Sequence, residues 1–219
     1  NKKTNLSIFL IFCISACQID SNVNLGDDLQ KQVIDENIVF EKYLSNQWEQ
    51  NLKDRPIFAS LLGNKSFNQD ITSNSIQEFV KNKAKLQKNL INLNSFNYEK
   101  LNSDNKLNYK LKRISLNNSI EAAQYPSYYM SLNQRGGVQS YFETGDRLVY
   151  ESKQDYEDWL IRLSKYADNI ANTKTNVEEG LEKGYTQPQL VTRQVILQID
   201  NILNSEIEDN PYLKIFLTA

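Results

Sequence analysis

The residue with the most legible chemistry is Cys17. It closes the run NKKTNLSIFLIFCISAC, in which Lys2 and Lys3 make a positive start and Leu6 to Ile14 an apolar stretch of export-signal length. Ser15 and Ala16 then supply the small residues that a signal peptidase needs beside a thiol destined for lipid. This predicts a bacterial lipoprotein. Residues 1–16 are a signal peptide, Cys17 carries the lipid, 17–26 form a polar tether, and 27–219 are the folded part. A membrane span is the wrong reading of the same run, which is far shorter than the roughly 17 to 25 apolar residues a spanning helix requires. Gln18 rather than Asp follows Cys17, so no inner-membrane retention cue is visible. The expected address is the cell envelope, anchored to the membrane through Cys17, facing the periplasm, on the outer membrane.

Most other chemistry is excluded by composition. The chain has no histidine and only two cysteines, Cys13 inside the signal and Cys17 at its end. No Ser-His-Asp or Cys-His nucleophile system can be assembled, and the commonest zinc ligand is missing. No disulfide is available to the mature chain, so the fold must stand on packing alone. The formal charge of −2 falls to about −4 once Lys2 and Lys3 are removed, which gives no basic excess for nucleic acid. Gly136-Gly137 lacks the strand, third glycine and helix start of a phosphate loop. The acidic pairs Asp27-Asp28 and Glu178-Glu179 are adjacent, and neighbours on a helix do not face one another. The chain alone therefore offers no catalytic residue, no metal site and no cofactor site.

The elements that would position a site are predicted to be helices, because only seven Gly and four Pro interrupt the chain and apolar residues recur at helical spacing. Leu29, Val33, Phe40, Tyr43, Leu44 and Trp48 mark a long first helix that ends before Asp54-Arg55-Pro56. Ile57 to Leu62 form a short apolar run before Gly63 and a polar loop. Ser75 and Glu78 have capping-box spacing and open a helix that carries Ile76, Phe79, Val80, Leu86 and Leu90. A further helix over 103–124 is expected to turn Leu107, Leu111 and Ile114 inward. Residues 125–150 read as an irregular, extended Gly- and Tyr-rich segment. A helix then starts at Ser152, with Gly180 and Gly184 near its end, and another starts near Thr186 and Pro188, a residue tolerated in a first turn. The fold class is all-α, a multi-helix, bundle-like arrangement.

Several stretches together resemble the bacterial family called domain of unknown function 885. They are RPIFASLLGNKSFNQDI, KLNYKLKRISL, LNQRGGVQ, and DYEDWLIRL followed by GYTQPQLVTRQVILQID, in an order that matches over roughly residues 27–213. Members of that family are often exported lipoproteins, are much longer, and are similar to largely helical zinc metallopeptidases whose metal site lies on a later His-Glu helix. The resemblance implies that this chain is the amino-terminal part of such a protein, continuing past Ala219, with zinc and a peptide substrate belonging to the whole. No position here matches the metal helix. Asn133, Gln134, Gly136, Gly137 and Arg193 fall in matching motifs and are the candidate substrate-cleft contacts. The alternative is a self-contained, non-enzymatic helical lipoprotein, a binding or envelope-interaction module.

Overall fold

The computed structural model describes residues 35–217. The signal peptide, Cys17, the tether and the start of the folded part at Asp27 lie outside them. Eight α-helices make up the described chain: α1 (Glu36–Asp54), α2 (Pro56–Leu61), α3 (Ile76–Asn94), α4 (Ser103–Ala122), α5 (Phe142–Arg147), α6 (Lys153–Glu182), α7 (Gln189–Leu203) and α8 (Lys214–Leu217). There is no strand among the described residues, only an isolated bridge between Asn133 and Gly136. The all-α expectation holds.

Local chemistry sets the boundaries. Asp35 caps α1 by accepting from the Asn37 amide at 2.9 Å. The helix stops at Arg55, whose φ of −128° and ψ of 66° are non-helical, because the ring of Pro56 disfavours helical geometry in the residue before it. Pro56 then starts α2, where its missing N–H costs nothing. Ser75 caps α3 by accepting from the Glu78 amide at 3.3 Å. The Glu78 carboxylate does not close the expected capping box but pairs with Lys81 at 3.4 Å.

Helices α1, α3 and α4 share one core, in which Phe40, Leu93, Leu101, Tyr109 and Leu116 are buried and Leu44, Leu86 and Leu90 pack around them. Phe40 meets Phe96 edge-on at 5.1 Å. Each such side chain contributes about 1.5–3 kcal/mol by leaving water. One polar corner aligns the bundle. The Asn37 carboxamide oxygen accepts from the Asn102 amide at 2.8 Å and from the Asn105 side chain at 3.2 Å, and Asn105 also donates to Glu41 at 3.0 Å.

Helix α4 corrects an expectation. Leu107, Leu111 and Ile114 point outward, with 57%, 56% and 57% of their surfaces exposed, while Asn105, Tyr109 and Leu116 are the buried positions. At about 100° per residue the two stripes lie on opposite faces of the helix. The larger ring of Tyr109, packed at a tilt between Tyr98 at 5.4 Å and Phe40 at 6.2 Å, fills the core that the leucines were expected to fill.

Residues 125–150 are irregular as expected but scarcely extended. They hold short 3₁₀ turns at Ser127–Met130 and Val138–Ser140, and α5. Gly145 lies inside α5 because Trp159 rests on it. A Cβ there would come within 2.7 Å of the indole.

Candidate functional site

Helix α6 is the organising element, and its buried face is polar. Asp155, Asp158, Arg162, Asn169, Thr173 and Asn176 are buried, together with Trp159, Tyr166 and Gly180. Their spacing of three and four residues keeps them on one face. Buried polar groups must find partners, and here the loop before α3 supplies them. Gln69 donates to Asp158 at 2.8 Å. The Asn169 side chain donates to the Thr72 carbonyl at 3.0 Å and accepts from the Asn74 amide at 3.2 Å. Asn74 donates to Thr173 Oγ1 at 2.7 Å, and Asn176 donates to the Asn74 carbonyl at 2.8 Å. Two stretches that carried the family resemblance, RPIFASLLGNKSFNQDI and DYEDWLIRL, thus meet along one polar seam.

Arg162 sits at the middle of this seam with no exposed surface. Its Nη2 donates to Ser60 Oγ at 2.9 Å and to the Phe67 carbonyl at 2.7 Å. Among the described residues no carboxylate pairs with it, and neither its Nε and Nη1 nor Trp159 Nε1 finds an acceptor. Burial lowers the guanidinium below its ordinary pKa, while Tyr166 and Tyr150, and after them Asp70 and Asp158, partly offset this. Burial also raises the hydroxyls of Tyr150 and Tyr166 nearby. Arg162 is thus a fully buried guanidinium with donors to spare.

The start of α6 is held by Asp155. Its carboxylate accepts from the amides of Glu151 and Ser152 at 3.0 and 2.9 Å and from the Ser152 hydroxyl at 2.9 Å, and it pairs with Lys65 at 2.9 Å. Lys65 above all, with these amides and against burial, draws its pKa from 3.8 to about 2. A folded-state pKa below the unfolded one means that the stabilisation is present above about pH 4 and is lost as pH falls through about 2. Asp155→Asn should therefore cost about 0.5–2 kcal/mol at neutral pH, the range for a lost helix cap, and flatten the acid limb of stability. Urea midpoints measured from neutral pH down to acid check this; an unchanged acid limb would contradict the assignment.

A second cluster joins the glycine pair to α7. Asn133 and Gly136 exchange backbone hydrogen bonds at 3.2 and 3.3 Å, closing a tight turn with Gln134 and Arg135 at its tip. Gly137 has φ of +136°, a conformation that favours glycine. Gln139 donates to the Asn133 carbonyl at 2.7 Å and to Gln198 on α7 at 3.1 Å, and Gln198 donates to the Gln134 carbonyl at 3.0 Å. A cleft of about 200 Å³ lies between Gln134, Arg135, Phe142, Glu143, Gln198 and Asn201.

The structure thus brings Asn133, Gln134, Gly136 and Gly137 together in one turn at the rim of this cleft. Arg193 does not join them. It is exposed on α7, five residues and about 140° of helix from Gln198. Gln139 and Gln198 are the side chains that fasten the turn, and sequence reasoning passed over them. Both lie inside the resembling motifs, where a glutamine beside apolar neighbours was the only signal.

The described residues do not fit a zinc centre. Among the described residues no three His, Cys, Asp or Glu side chains converge, and the sequence has no histidine. The fold and these clusters define an all-helical domain laced by buried polar side chains. More particularly, the chain belongs to the family described as bacterial protein of unknown function (DUF885), whose model matches residues 56–218. No curated protein and no solved structure matches it.

Proposed function

We propose that this chain is the amino-terminal scaffold of an exported, lipid-anchored protein resembling zinc-metallopeptidase-like hydrolases. In this reading the chain walls a substrate cleft and supplies no catalytic group. The observation that carries it is the outer face of α7, where Leu190, Ile196, Leu197 and Leu203 are 69%, 52%, 54% and 75% exposed. Apolar clusters of this kind on a helix are the mark of an interface, and a further helical part of the same polypeptide is the occupant the resemblance implies. The cleft beside Gln134 and Gln198 is the proposed contact with a peptide. Zinc, and the carboxylate that would assist a zinc-bound water, belong to the downstream part.

Reading the gene beyond Ala219 is the direct test. A downstream segment with His and Glu at metal-binding spacing is the expected result, and a stop codon at that point would sink the reading. The anchor has its own test. Labelled fatty acid should enter the native protein and not the Cys17→Ser variant; equal labelling of both would refute lipidation at Cys17. The proposed location is the periplasmic face of the outer membrane.

A further inference from the structure

We infer that the outward face of α4 is a docking surface for anionic phospholipid, so that the domain lies against the membrane. The inference rests on the reading that the protein works at an envelope membrane, and goes beyond it by assigning a second contact. Leu107, Leu111 and Ile114 form an exposed stripe opposite the buried Tyr109 and Leu116. Lys106, Lys110 and Arg113 follow along one edge of that stripe at helical spacing. The side chain of Lys110 lies over the Tyr98 ring at 5.6 Å, and neither Lys110 nor Arg113 has an ion-pair partner among the described residues.

Helix α4 itself carries four Lys and Arg against two Asp and Glu, in a chain whose formal charge is −2. An apolar stripe with cations beside it is the pattern of a helix that lies in the plane of a bilayer surface, its leucines among the acyl chains and its cations at the headgroups. Protein interfaces instead deplete lysine from their cores. The outward face of α7 shows that other pattern, with four apolar side chains around the single cation Arg193. Charge therefore separates the two exposed faces, and lipid is the occupant that suits α4.

The first turn of α1 is fastened to the start of α4, with Asn37 accepting from the Asn102 amide at 2.8 Å and donating to the Lys100 carbonyl at 3.4 Å. From Leu107 to Ile114 the stripe is about 10 Å long, so its affinity is modest and works alongside an anchor.

The test is vesicle co-sedimentation of the full-length protein carrying Cys17→Ser, so that no acyl chain contributes. It should bind vesicles containing phosphatidylglycerol, bind phosphatidylcholine vesicles weakly, and be released by salt. Lys110→Glu with Arg113→Glu should lower partition about tenfold or more. Leu111→Gln with Ile114→Gln should lower it comparably, and circular dichroism should show that both exposed pairs leave the fold intact. Partition that ignores both pairs of changes overturns the inference. Absence of any phosphatidylglycerol-dependent binding overturns it too. Loss of fatty-acid labelling bears on Cys17 alone, so the two readings fail separately.

Discussion

Gly180→Ala should destabilise the protein by about 1–3 kcal/mol, the range for overpacking a filled site, although alanine in place of glycine inside a helix ordinarily gains about 1 kcal/mol. The sign reverses because of what lies above it. A Cβ at Gly180 would stand 2.7 Å from Tyr129 Cβ and 3.0 Å from the Tyr129 carbonyl oxygen. The oxygen is backbone and cannot rotate away, so the whole Ser127–Met130 turn must lift. That turn is also held through Tyr129, whose hydroxyl donates to Glu179 at 2.8 Å and accepts from Lys183. For a domain of this size, a drop in Tm of roughly 2–4 °C per kcal/mol follows. Thermal unfolding of Gly180→Ala beside the native protein measures it, and a rise in Tm would show that the turn yields freely.

The second large effect is expected at Asn169. Its carboxamide serves two backbone groups of the loop before α3, the Thr72 carbonyl and the Asn74 amide. Asn169→Ala removes both bonds and leaves those groups facing a buried gap. Unsatisfied buried groups cost about 1–3 kcal/mol each, so a loss of about 2–4 kcal/mol is expected once some relaxation is allowed. Asp168→Ala, at an exposed neighbour on the same helix, should change stability by less than about 0.5 kcal/mol. Denaturant titration of the pair distinguishes a specific seam from a general sensitivity of α6. Equal midpoints for the two variants would remove the seam from the account.

The helices themselves were legible. Caps at Ser75 and Ser152, the stop at Pro56 and the restart at Pro188 are chemistry of single residues, and sequence displays them directly. Faces were harder. On α4 the leucine stripe was the obvious candidate for the core, yet a helix carrying two apolar stripes does not say which will be buried until its partners are known. On α6 the failure was of another kind. Hydrophobic periodicity searches for apolar residues, and the buried face of α6 is written in Asp, Arg, Asn and Thr, whose complement lies about a hundred residues earlier in the chain. The glycines show the same limit. Gly137 and Gly184 serve positive φ, which a turn pattern suggests, whereas Gly145 and Gly180 are required by neighbours distant in sequence. Of the candidate site, the turn at Asn133–Gly137 was visible and its fastening by Gln139 and Gln198 was not. Arg193 could be separated from them only by the helical phase of α7.

The lacing of the loop to α6 has a mechanical consequence. Greasy contacts permit a helix to slide or roll by a fraction of a turn, since one methyl group substitutes for another. Directional partners do not: advancing α6 by a single residue would carry Asn169, Thr173 and Asn176 about 100° around the axis and break every bond they make with Thr72 and Asn74 together. The seam therefore works as an indexing pin. It sets the rotation of a 30-residue rod, and with it the bearing of whatever side chains that rod presents on its far side to a neighbouring part of the molecule.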